Sequence, residues 1–355
     1  MTGPAPAYAV VVPTIGRPCL ADCLRALAAA EGHPPEAVVV VDDRPDPAGP
    51  LPLDAAGPLR DRLRVLSTGG RGPAAARNAG LREVTTPWTV FLDDDVRVLP
   101  DWTRRLADDL ARAADTTGGI QGRLRVPLPA DRRPTDWERG TAGLEHAAWA
   151  TADMAYRTQA LKAVSGFDER FRRAFREDAD LALRVQRAGW TLHRGRRVTL
   201  HPVRPADRWV SVRAQRGNAD DALMNRLHGR DWWDRAQAPR GRLPRHVLVT
   251  AAALAGCLGL LTGHRRAAAA AGALWAAGTA EFALARITPG PRTPDEILTM
   301  TVTSALIPPL ATAHWLDGTR RHRRAAPLGT HGSGGHGRAA PLGSRRGAAV
   351  HGSTP

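Results

Sequence analysis

The sequence has almost no lysine: Lys162 is the single one, so nearly every basic residue is arginine. With abundant alanine, that skew reads as the coding bias of a GC-rich genome as much as chemistry. An excess of positive charge is therefore not by itself a nucleic-acid signal. Cysteine is scarce too. Cys19, Cys23 and Cys257 exclude a disulfide framework and any CxxC zinc or redox site, and they fit a reducing compartment. The opening MTGPAPAYAVVVPT has neither a basic n-region nor a long apolar h-region, so no secretory signal is visible. No GxGxxG follows the first strand-like run, which argues against a dinucleotide oxidoreductase. Nor does VVVPTIGRP offer the GxGxR loop and nearby lysine that a nucleotidyltransferase would need.

What is present is a chain of 355 residues, 43% hydrophobic, enough for a sizeable core and for two domains or one domain with an appendage. The net charge of +15 is unevenly placed. Residues 1–234 carry 35 basic and 31 acidic side chains, whereas residues 235–355 carry 15 and 4. Those later arginines flank apolar segments and are not interleaved with aromatics, which points to a membrane surface and away from nucleic acid.

Three zones follow. In the first, about 8–234, strand and helix signals alternate: Tyr8–Val12, a helix opened by Arg17-Pro18 with Leu20, Leu24 and Leu27 on one face, Ala37–Val41, Leu63–Leu66, a helix over Ala74–Leu81 behind Pro73, and Thr89–Leu92. That order predicts an α/β fold with a parallel sheet and crossover helices. The second zone holds Val247–Gly263, Ala267–Ala285 and Ile297–Leu316, of 17, 19 and 20 residues, the middle one carrying Glu281. Each is long enough for a membrane span of about 20 residues; a buried helical hairpin of a soluble protein has the same pattern. Arginines at 240–245 and 320–324 favour the membrane and call for an even number of crossings. The expectation is that the first and third stretches cross while the middle one packs between them or lies at the interface. The third zone, 319–355, is a Gly/Arg/His tail with a twice-occurring RAAPLG, expected to be disordered.

The chemistry is carried by carboxylates. FLDDDV, residues 91–96, ends an apolar strand in three aspartates, at the sheet edge where open α/β folds bind ligands. Strand alternation turns Asp93 and Asp95 to one side, where both can face one divalent ion. An acidic turn leading into a helix, with Asp101 capping Trp102–Ala114, reads the same way. In REDADLALRVQRAGW, Glu177 and Asp178 start a short helix, where the dipole favours anions and a carboxylate can serve as general base. N-terminal capping alone would also place them there.

Taken in order, VVVPTIGRP, VVVVDD, GGRGPAAARNAG, FLDDDV, GFDERF and REDADLALR closely resemble glycosyltransferase family 2 over about residues 8–230. The resemblance implies the GT-A (Rossmann-like) fold, an inverting transfer from a nucleotide-sugar donor to a saccharide or lipid-linked acceptor, and a Mn²⁺ or Mg²⁺ ion. It implies that Pro13, Thr14, Arg17, Asp42, Asp43, Arg71, Arg77 and Asp94 meet the nucleotide sugar, with Asp153 near the donor and acceptor sugars and Arg216 at the diphosphate. Asp93 and Asp95 match the outer carboxylates of the metal-binding DxD element, and His201 is a further metal ligand. Asp178 matches the catalytic base, with Glu177 its partner. Arg77 as a core-edge ion-pair partner and His201 as a structural strand-end histidine remain open alternatives.

Processive members of the family carry a QxxRW element. Here the equivalent stretch is RAQRGNADDAL, with Gly217 in the tryptophan's place, which implies single additions. A polyprenyl-phosphate sugar synthase shares the catalytic blocks and is kept open by the apolar stretches. A non-catalytic, membrane-tethered sugar-nucleotide-binding module is the reading from another class. With no export signal and donors made in the cytosol, the catalytic domain is expected on the cytoplasmic face of the cell membrane.

Overall fold

The computed structural model describes residues 6–327. Most of the expected disordered tail, with His331, His336 and His351, lies outside the described residues. Strand β1 (Tyr8–Thr14) is almost uninterrupted valine and alanine, the composition of a strand covered on both faces. Helix α1 (Cys19–Ala28) follows, then β2 (Ala37–Asp42), β3 (Leu63–Ser67) and α2 (Pro73–Glu83), with Pro73 in the first turn where its missing N–H costs nothing. Period-two alternation sorts the valines. Val10, Val12, Val38 and Val40 pack under Leu20, Leu24 and Leu27 of α1, while Ala9, Val11, Val39 and Val41 pack under α2.

The chain continues through β4 (Trp88–Leu92), the two-residue β5 (Arg97–Val98), α3 (Trp102–Ala111), β6 (Thr117–Arg125), α4 (Asp136–Ala142), β7 (Asp153–Arg157), α5 (Thr158–Ala163), α6 (Glu177–Arg187) and β8 (Thr191–Leu200). All eight strands form one sheet in the order β3-β2-β1-β4-β7-β6-β8-β5. The first four run parallel, as the alternation predicts, and β7 then enters antiparallel between β4 and β6. The sheet is therefore mixed and mostly parallel. Reversal at β7 sets Asp153 opposite Leu92, the last residue before the three aspartates. Asp101 precedes α3 but does not cap it: its carboxylate is taken by the Arg105 side chain, and the helix ends at Ala111.

Beyond the sheet comes α7 (Val210–Ala214), and then α8 (Asn218–His228) and α9 (Trp232–Arg235) close over α6 around Phe171, Leu183, Leu223, Met224 and Trp232. Three long helices follow: α10 (Leu243–Leu261), α11 (Arg265–Ile287) and α12 (Pro294–Arg321), each long and apolar enough to cross a membrane. All three pack against one another. The antiparallel partner of α10 is α11: the His246 ring meets Phe282 at 4.8 Å and Gly278 abuts Val249. Glu281 is not a lone carboxylate in an apolar helix, because Arg242 and Arg245 pair with it at the base of this hairpin. Helix α12 packs on both helices, with Thr250 and Thr312 hydroxyls 3.3 Å apart and Arg286 donating to Thr303 and Ser304, and it also follows the surface of the catalytic domain. Its Glu296 accepts the Asp136 amide at 3.1 Å, and near its other end Gly318 presses on the backbone of Ala219.

Candidate active site

A cleft of about 600 Å³ opens at the carboxyl ends of β1 and β4. Pro13, Thr14, Arg17, Asp43 and the three aspartates line one side, and α4 with Glu177, Asp178, His201 and Arg204 lines the other. Alternation divides the aspartates as expected. Asp94 is buried and acts as a brace: it accepts hydrogen bonds from the Thr14 hydroxyl at 2.6 Å and from Arg17 at 3.2 Å. Burial raises its pKa above the usual aspartate value, against the pull of that hydroxyl and of Arg17.

Asp93, Asp95 and His201 offer ligand atoms that all lie within 4.8 Å of one another. Asp95 is paired with Arg204 at 2.9 Å, and His201 Nε2 stands 3.6 Å from it. The other ring nitrogen of His201, Nδ1, is buried without a hydrogen-bond partner. Two carboxylates and an imidazole are a donor set suited to Mn²⁺ or Mg²⁺, and the short separations among them fit such an ion.

Glu177 and Asp178 follow a strained residue. Arg176 holds φ at 76°, a left-handed conformation that its side chain maintains by bonding Asp221 at 2.7 Å and lying over the rings of Phe175, Trp232 and Trp233. From there Glu177 turns inward and Asp178 toward the cleft. Glu177 is buried and accepts from Arg77 at 2.9 Å, leaving its second oxygen unpartnered. Burial, and then the Asp178 charge, push its pKa up to about 8. Asp178 accepts the Ala179 amide at 2.7 Å, and burial raises its pKa as well. The buried Arg77 guanidinium reaches Asp93 at 2.7 Å with its other nitrogen, so one cation ties the Glu-Asp pair to the aspartate cluster. Arg77 is thus an ion-pair partner that also lines the cleft.

Four expected site residues lie elsewhere. Asp153 is fully enclosed, its oxygens saturated by Trp102 Nε1 and Arg197 Nε at 2.8 Å and the Thr199 hydroxyl at 2.6 Å. It is a structural knot below the cleft. Asp42 is held by Arg44 at 2.7–3.1 Å, which lowers its pKa and uses its acceptor capacity. Arg71 turns outward to Glu169 at 2.6 Å, and the Arg216 side chain is exposed on the domain surface. Asp43 borders the cleft, yet its oxygens bind the Thr68 hydroxyl and the amides of Arg71 and Gly72 at 2.7–2.8 Å, shaping the glycine-rich loop. Gly72 there has φ 98°, and a Cβ would strike the Arg172 carbonyl at 2.8 Å.

Sequence reading missed Arg204, three residues beyond His201 in HPVRP; its nearness to a strand-end histidine was the available signal. It also missed the wall made by Trp137 and Thr141 of α4 and by Leu144 just beyond it, which no motif marks.

Fold and cleft together define an α/β domain whose ligand site sits at the carboxyl ends of its parallel strands. Residues 9–179 match the family described as glycosyl transferase family 2, and this part of the chain is a glycosyltransferase family 2 domain. A pre-mycofactocin glycosyltransferase of Mycobacterium tuberculosis is 31% identical over 167 residues, 43% of this chain and 34% of that protein. The galactofuranosyltransferase GlfT2 of Mycolicibacterium smegmatis is 36% identical over 140 residues, 35% of this chain and 21% of that one. The chain thus spans about a third or less of the length of these curated relatives. Among solved structures, the mannosyltransferase PcManGT of Pyrobaculum calidifontis, in complex with GDP-Man and Mn²⁺, shares the fold with a TM-score of 0.50 and 20% identity over 88% of this chain and 87% of that one.

Proposed function

We propose that the protein transfers a sugar from a nucleotide-sugar donor to an acceptor hydroxyl with inversion, one residue at a time, at the cytoplasmic face of a membrane. The observation that carries this reading is the shared cleft: Asp178 faces the same space as Asp93, Asp95 and His201, and Arg77 ties the two groups together. The relatives support it by what they are called, a glycosyltransferase of pre-mycofactocin and a galactofuranosyltransferase, and the similar fold of PcManGT was solved with GDP-Man and Mn²⁺.

Asp93, Asp95 and His201 would hold the divalent ion, which when bound supplies positive charge against the departing nucleoside diphosphate. Pro13, Thr14 and Arg17 form the nucleotide end of the cleft, with Arg17 fixed by Asp94. One Asp178 oxygen is occupied by the Ala179 amide, which orients the carboxylate so that the other takes the proton of the acceptor hydroxyl while the acceptor's oxygen attacks the anomeric carbon. Direct displacement inverts configuration and needs no second carboxylate nucleophile, unlike a retaining hydrolase. Single addition is supported at Gly217: Phe175 covers it so closely that a Cβ would meet the ring at 2.8 Å, leaving no room for the tryptophan of processive enzymes.

A lipid-phosphate acceptor is favoured by one feature, the bond from the α4 wall of the cleft to the apolar helices through Asp136 and Arg286 at 2.8 Å. Incubating purified protein with a panel of nucleotide sugars, with and without Mn²⁺, tests the proposal. Metal-dependent release of nucleoside diphosphate is expected. No release with any donor would leave a non-catalytic binding module as the reading.

A further inference from the structure

The apolar helices are packed inside-out for water. Along α10 and α11 small residues let the helices approach closely: a Cβ added at Gly259 would meet Ala268 at 3.1 Å, and one at Gly256 would lie 3.6–3.8 Å from Ala268, Ala271 and Gly272. The bulky side chains face outward, with Leu254 66% exposed, Leu258 61% and Leu261 85%. Close packing through glycine and alanine with leucine outside is how helices associate in lipid, whereas in water the leucines would be the first groups buried. Helix α12 is two-sided. Met300, Thr303, Ser304, Ile307 and Ala311 are buried, while Leu298, Val302, Leu306 and Leu310, spaced by four, form an exposed apolar stripe.

The contacts of α12 decide how it meets a bilayer. Its first turn bonds α4 through Glu296, its middle is held through Arg286 to Ser211 of α7 at 2.9 Å, and Gly318 lies on Ala219 of α8. Just past its end, the Ala325 carbonyl accepts from Arg226 at 3.0 Å. A helix of 28 residues is about 42 Å long, more than the roughly 30 Å of a hydrocarbon core. Were it to cross, α4 and α8 of one domain would stand on opposite faces, carrying the ion pairs of Asp220 and Asp221 into lipid.

We infer that the protein is monotopic: the α10–α11 hairpin dips into the bilayer and returns, and α12 never crosses but lays its outward stripe on the same leaflet. The occupant of this apolar surface is lipid. Arg240, Arg242, Arg245, Arg320 and Arg321 gather at the helix ends, where Asp234, Glu281 and Asp317 pair with four of them and leave a net positive charge suited to anionic headgroups. This also resolves the parity of the arginine clusters with one hairpin, and it rests on the membrane association proposed above.

The test uses the full chain in membrane vesicles of its expression host, in a Cys257→Ser, Cys19→Ser background; Cys23 is buried. Pro291→Cys and Pro355→Cys should both react with an impermeant maleimide only from the face that carries the catalytic domain. A fluorophore on Leu258→Cys and one on Leu306→Cys should both be quenched by spin-labelled lipid. Reaction of Pro355→Cys from the opposite face would mean that α12 crosses, overturning the inference while leaving membrane association intact. Quenching at 258 but not 306 would mean that a protein surface, such as a second copy, covers α12, and would also overturn it. Release of the chain by alkaline carbonate would remove both this inference and the membrane reading.

Discussion

Arg77 and Glu177 stand 100 residues apart in the chain and 2.9 Å apart in the fold, both buried, with Arg77 also reaching Asp93. Removing Arg77 leaves Glu177, which its raised pKa lets protonate, without a donor for its buried oxygen, and strips Asp93 of its cation. Arg77→Met should therefore cost about 1–3 kcal/mol of stability. Chemical denaturation of the variant against wild type measures it; an unchanged midpoint would show that the pair is dispensable.

Asp178→Asn should lower transfer by roughly 10²–10⁴-fold, the usual contribution of a general base. Nucleotide affinity should stay nearly constant, because the side chain acts on the acceptor. Turnover at the wild-type level would move the base assignment to Glu177.

The acid limb of kcat should lie above the ordinary aspartate range near 4. Burial raises the Asp178 pKa, and the base works only when ionised, so activity is lost as pH falls through that raised value. A pH–rate profile at saturating donor and acceptor reads the limb directly; a midpoint at or below about 4 would contradict the burial argument.

Nucleoside diphosphate binding should depend on Mn²⁺ or Mg²⁺ and weaken in Asp95→Ala. Calorimetry with and without a chelator provides the comparison. Equal affinity in both conditions would remove the metal from the cluster of Asp93, Asp95 and His201.

Asp153→Asn should behave as a folding variant. Its carboxylate serves Arg197, Trp102 and Thr199 inside the sheet, so a loss of about 3 kcal/mol is expected with KM for the donor unchanged. A raised KM at unchanged stability would return Asp153 to the donor site.

The valine-rich strands, Pro73 at a helix start, the aspartates closing β4 and the Glu-Asp pair opening α6 were all legible in the sequence. Each is a local pattern: period-two burial, first-turn chemistry, or charge at an element end. Asp42, Arg71, Asp153 and Arg216 were not, because a motif position does not say where a side chain points. Arg44, Glu169 and Arg197 capture the first three. Length and composition likewise marked three helices as able to enter a membrane, but not which would pair. That was decided by tertiary contacts: Glu281 with Arg242, glycines of α10 against α11, and Glu296 and Gly318 holding α12 along the catalytic domain. Local propensity and burial pattern are written residue by residue, whereas the choice of partner depends on which groups the folded chain brings within reach of one another.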